Sequence, residues 1–143
     1  MKVKKLKSDG QRSFAVVLET GEEAVENLLA FARAHDVTAA SFTALGAFRD
    51  VKLGFFDIDK KDYQPIEIDD QVEVLTLVGN FAIQDGEARL HPHVIVSGRD
   101  GHAFGGHLLE GHVRPTLEVV VTDEPAHLRR RTDAETGLPL LVP

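Results

Sequence analysis

Arg89-Leu90-His91-Pro92-His93-Val94-Ile95-Val96 leads through a Gly-rich turn into Phe104-Gly105-Gly106-His107-Leu108, and these two segments hold three of the seven histidines. Alternate residues of a strand share a face, so His91, His93 and Ile95 point one way while Leu90, Pro92, Val94 and Val96 point the other. If Arg99, Asp100 and Gly101 form a three-residue loop with Gly101 in the left-handed position, His93 falls opposite His107. His91 is then the diagonal neighbour on the same face. Three neutral imidazoles so placed suit zinc, or another divalent transition ion, which takes imidazole nitrogen at about 2.0–2.1 Å. Three protein ligands leave a fourth position for water or a small anionic ligand. The alternative is a set of half-buried histidines bonded to backbone carbonyls, and a register slip of one residue would turn His107 to the wrong face. Pro92 cannot donate to a ladder, which asks for an edge, a bulge or an outward-facing amide at that point.

Other candidate chemistry is sparse. Glu73 and Glu118 stand on apolar strand patterns, where burial would tune a carboxyl for general acid or base work. An ion pair or a subunit contact would account for them equally well. His102, His112 and His127 lack the spacing to join the three and read as surface or turn residues. No serine occupies a nucleophile-elbow pattern, and no glycine-rich loop precedes a helix to cradle phosphates. The absence of cysteine excludes disulfides and thiolate ligands, leaving imidazole and carboxylate.

The elements that must position these side chains follow from period and punctuation. Arg12 to Glu19 is an apolar run of strand length. Thr20-Gly21-Glu22-Glu23 has capping-box spacing and predicts a helix behind it, with Ala24, Val25, Leu28, Leu29, Phe31 and Ala32 as its apolar stripe and an end near His35-Asp36. Ala39 to Leu45 predicts an interior strand, Val51 to Ile58 another, and Tyr63 to Ile68 a short edge strand because of Pro65. Val72 to Gly79 is apolar on both faces, apart from Glu73, and reads as central. Asp85-Gly86 is a strong hairpin turn into the histidine strand. Thr116 to Val121 is the last strand, and Pro125 closes the domain. The expected fold is α/β of the α+β kind, a mostly antiparallel central sheet with one main helix packed on it.

A chain of 143 residues is expected to form a single domain, residues 1–143, with a core over about 12–123. The tail, 124–143, has enough leucine to pack on the domain or on a neighbouring subunit. The formal charge of −7 gives no general attraction to phosphates, so nucleic-acid binding is expected to be absent or weak. Basic residues cluster at Lys2 to Lys7 and at Arg129-Arg130-Arg131, both read as solvated. Met1 to Lys7 lacks the apolar core of a signal peptide and no run has membrane-spanning length, so a cytoplasmic protein with no membrane partner is expected.

Four segments in order carry a family resemblance. Ala40 to Ala47, Val72 to Asn80, His91-Pro92-His93-Val94 and the stretch from Asp100-Gly101 through Gly105-Gly106-His107-Leu108 and Gly111 to Thr116-Leu117-Glu118-Val119 together resemble the "plants and prokaryotes conserved" domain over about Arg12 to Asp123. The resemblance implies a compact α/β fold and a homotrimer, and an assembly or regulatory module related to DNA-binding proteins. The AT-hook core on which DNA binding by plant relatives rests is missing here, so that property does not transfer. The His-x-His pair with a later histidine is also similar to the zinc site of acetolactate decarboxylase, which has a similar fold. That likeness implies an alternative, a zinc-dependent decarboxylase or hydrolase acting on a small oxygenated acid, with Glu73 and Glu118 as catalytic candidates. A weak DNA-binding protein is the third possibility.

Overall fold

The computed structural model describes residues 1–7, 10–124 and 128–142. Its elements are β1 (Lys2–Lys7), β2 (Ser13–Glu19), α1 (Ala24–Ala34), β3 (Ala40–Asp57), β4 (Asp62–Ile68), β5 (Val72–Gln84), β6 (Glu87–Ser97), β7 (Ala103–Asp123), β8 (Arg129–Thr132) and β9 (Pro139–Val142). Among the described residues all strand pairings are antiparallel except the bridge between β5 and β8 at Ile83 and Arg129. β3 pairs with both β5 and β7, and β6 pairs with the same two strands, so these four close into a ring. The expected α+β architecture is present, with one helix on a mostly antiparallel sheet.

The helix begins differently from its capping-box reading. Glu23 is itself the N-cap, its carboxylate accepting from the amides of Val25 at 3.0 Å and Glu26 at 2.6 Å. One of its oxygens also accepts from the Gly111 amide at 3.0 Å, which ties the start of α1 to β7. Thr20 turns away and donates to the Pro115 carbonyl. Ala24, Leu28, Phe31 and Ala32 form the buried stripe, with Phe31 edge-on to Phe14 of β2 and near Phe81 of β5.

Two predicted strands, Ala39–Leu45 and Val51–Ile58, are one strand of 18 residues. Gly46 bends it without breaking it: its φ is +154°, and an added Cβ would collide with the backbone of Thr116 and Leu117 on β7, so only glycine permits that approach. A bulge near Leu75 shifts the faces of β5 from strict alternation, burying Val72, Val74 and Leu77 while Glu73, Leu75 and Val78 face out. The two basic clusters lie on strands, and only Arg130 departs from the solvated reading among their described side chains. β1 pairs with β2 and leaves Lys2, Lys4 and Lys5 exposed, whereas Arg130 in β8 is buried. Pro125 and His127 lie outside the described residues.

Candidate metal centre

Gly101 adopts φ +81°, and the hairpin pairs His93 with His107, Val94 with Gly106 and Ile95 with Gly105. That register faces all three histidines outward from the core side occupied by Val94, Val96 and Leu108. Pro92 lies one residue before β7 joins this edge, where a missing amide costs no ladder bond to β7.

One nitrogen from each of His91, His93 and His107 lies within 4.8 Å of the other two. Nε2 of His91 and Nε2 of His93 are 3.1 Å apart, and the ring centroids of the three pairs are 5.0, 5.4 and 5.5 Å apart. Nitrogens bound tetrahedrally at zinc distance sit about 3.4 Å from one another. The triangle therefore needs only small side-chain rotations to close on such an ion, and the donor set, all imidazole, is one that zinc accepts.

The surroundings of His107 and His91 favour the neutral imidazole. Burial, then the charges of His91 and His93, pushes the His107 pKa down to about 4. Burial, the Arg130 guanidinium and His93 lower that of His91. Neutral imidazole is the ligating form, so no proton need be displaced from these two at neutral pH. Tyr63 of β4 supports His107, with its hydroxyl 3.3 Å from Nδ1 and its ring 4.7 Å from the imidazole. Burial also raises the phenol pKa, so the hydroxyl keeps its proton. With Nδ1 so occupied, Nε2 of His107 is left to ligate.

Beside His91 and His107 a cavity of about 130 Å³ opens, bounded by Tyr63, Arg89 and Arg130 and by the tail residues Leu138, Pro139 and Leu140. Arg130 reaches it from β8, donating to the Asn80 side chain and, at 2.8 Å, to the Pro139 carbonyl. Asn80 is the register partner of His91. Tyr63, Asn80 and Arg130 were not singled out by sequence reading.

The remaining candidates lie elsewhere. Glu73 and Glu118 are exposed and flank a groove over Leu45, Gly46 and Ala47. Glu73 is five residues along β5 from the partner of His93, roughly 16 Å at strand rise. The burial that general acid chemistry would draw on is absent at both. His102 pairs with Asp100 in the hairpin loop, and His112 is bonded to Asp50 at 2.6 Å on the other part of β7.

Among known proteins, the family model of the Plants and Prokaryotes Conserved (PCC) domain matches residues 6–125. No curated protein matches the chain significantly. A plant- and prokaryote-conserved protein from Pyrococcus horikoshii is similar in structure, with 28% identity, TM-score 0.87 and 92% of each chain covered. A protein from Bacteroides thetaiotaomicron, provisionally named as DNA-binding, has 26% identity and TM-score 0.88 over 98% of this chain and 96% of that one. A metal-containing protein from Archaeoglobus fulgidus has 31% identity and TM-score 0.85 over 99% and 97%. A Staphylococcus aureus protein described as similar to α-acetolactate decarboxylase shares the fold alone, at 16% identity and TM-score 0.58 over 77% of this chain and 51% of that one.

Proposed function

The chain belongs to the Plants and Prokaryotes Conserved domain family, and from that premise we propose that it is a metal-binding homotrimer in which His91, His93 and His107 of each subunit hold one divalent ion, zinc by preference. The observation that carries this reading is the convergence of three imidazoles on one sheet face, two of them held neutral by burial and neighbouring charge. The Archaeoglobus relative, described as metal-containing, supports it.

Assembly is supported by the outer face of the sheet. Val120, Thr43, Val78 and His93 follow one another across β7, β3, β5 and β6, and Leu45, Leu75 and Ile95 are exposed beside that row. So much apolar surface on one face asks to be covered, and a second copy of the chain offers the matching surface. Residues 1–143 act as one domain in this reading, with β8 and β9 of the tail walling the cavity beside the histidines. The test is elemental analysis of tag-free protein together with its mass in solution. Three chains and three zinc ions per particle are expected.

A second reading, a zinc-dependent enzyme for a small oxygenated acid, draws on the cavity that adjoins two of the ligands. There a bound zinc would supply Lewis-acid polarisation of a carbonyl, while Tyr63, Arg89 and Arg130 would bind and orient the acid. Nucleic-acid binding is the third. The Bacteroides relative's provisional name and the exposed lysines of β1 favour it, and the net charge of −7 opposes it. Any such binding rests on a few phosphate contacts and should vanish as salt rises to physiological strength. Sequence-specific binding that survives such salt would displace the assembly reading.

A further inference from the structure

The cavity beside the histidines has the wrong charge balance for an empty solvent cleft. Two guanidinium groups border it, Arg130 within and Arg89 at the exposed rim, and none of its lining residues is acidic. Arg130 is only 9% exposed. Its two hydrogen bonds go to neutral oxygens, of Asn80 and Pro139, and its Nε is enclosed without a partner. Among the described residues no carboxylate lies within ion-pair distance of it. A buried cation is costly unless an anion accompanies it, and the described residues supply none.

We propose that this cavity is a binding site for a small carboxylate bearing a second oxygen on the neighbouring carbon, its carboxylate on Arg130 and Arg89 and its second oxygen turned toward the ion held by His91, His93 and His107. The metal end of this assignment rests on the metal reading above; the carboxylate end rests on Arg130 and Arg89 and is independent of it. Size and chemistry both narrow the ligand. A volume of about 130 Å³ corresponds to roughly four water molecules, which suits an acid of two or three carbons. Leu138, Pro139 and Leu140 give one wall a largely apolar character. A dianionic phosphate would leave more oxygens without donors there than a planar carboxylate, which matches the guanidinium fork.

Calorimetric titration of zinc-loaded protein with glycolate, acetate and inorganic phosphate tests this, alongside the visible spectrum of cobalt-loaded protein. Glycolate should bind more tightly than acetate and should alter the cobalt spectrum, while phosphate should bind least. Arg130→Lys should weaken glycolate by at least about tenfold, the loss of one charge-assisted contact, with zinc content unchanged. Because Arg130 also fastens the tail, Arg89→Gln is the second variant: it leaves those bonds intact and should weaken glycolate by a smaller factor. Equal glycolate affinity in wild type and both variants would overturn the proposal, as would tightest binding of phosphate. If the chain takes up no metal, the metal reading fails separately. Arg130-dependent binding of both acids with equal affinity would then retain the carboxylate site, and no binding of either would remove it.

Discussion

The Tyr63 hydroxyl lies 3.3 Å from Nδ1 of His107 and its ring lies 4.7 Å from the imidazole, so a residue of the edge strand β4 fixes the orientation of a ligand on β7. Partners of this kind typically contribute 10–100-fold to metal affinity by fixing the tautomer. Tyr63→Phe keeps the ring and removes the hydrogen bond. Its zinc affinity, measured by competition with a chelating dye, should fall by roughly tenfold while the thermal midpoint of the metal-free protein changes little. An unchanged affinity would leave Tyr63 with a packing role only.

His93 is the most exposed of the three, and it meets His91 through Nε2 and His107 across the ladder. His93→Ala should lose most of the metal from a tag-free preparation. His102→Ala should retain it, because that ring is bonded to Asp100 in the hairpin loop. Full stoichiometric metal in the His93 variant would mean that the site is not the one described.

Much of this site was legible before any coordinates. The loop of Arg99, Asp100 and Gly101 dictates the pairing of His93 with His107, and Asp85-Gly86 dictates that Asn80 opposes His91 by the same counting. Arg130 was not legible, because a run of three arginines looks solvated and only the docking of β8 beside β5 turns the middle one inward. Which face of β5 is buried is not legible for a related reason. A bulge is a one-residue event that composition does not announce, yet it reverses which residues are buried beyond it. The merging of two predicted strands into β3 came from Gly46, which permits a bend as readily as a turn.

Acid should loosen the fold through the same histidines. In the folded chain the His107 pKa is about 4 and that of His91 is also lowered, whereas in the unfolded chain both titrate near 6.5. The unfolded state therefore takes up these protons first. The stabilisation is fully present above about pH 6.5 and is lost as pH falls toward the folded value. Denaturant midpoints of metal-free protein should decline across that window, and zinc release should follow the same direction. A variant carrying Gln at both positions should flatten the decline; an unchanged slope would assign it to other groups.

Gly79 offers a test that touches no ligand. A Cβ there would lie inside contact distance of the His91 carbonyl oxygen and of the Phe42 ring. The carbonyl belongs to the ladder and cannot swing away as a side-chain tip would. Gly79→Ala should push β6 outward at His91, costing about 1–3 kcal/mol of stability and weakening zinc binding together. Loss of stability with zinc affinity intact would show that β6 relaxes elsewhere.

The apolar outer face gives the assembly its own test. Val120 and Leu75 are about half exposed on β7 and β5, on the face that also carries Val78 and His93, and neither contributes to the buried core. Lysine at both positions should therefore leave the folded chain intact, since its long stem can lie along the sheet while the ammonium stays in water. Within a subunit contact the same two ammonium groups would be desolvated and repeated by symmetry in every copy, which no interface of this kind tolerates cheaply. Light scattering should report three chains per particle for the wild type and one for the double variant, with matching circular dichroism. A wild-type chain that stays monomeric at micromolar concentration would remove the assembly reading while leaving the metal site to be judged on its own measurements.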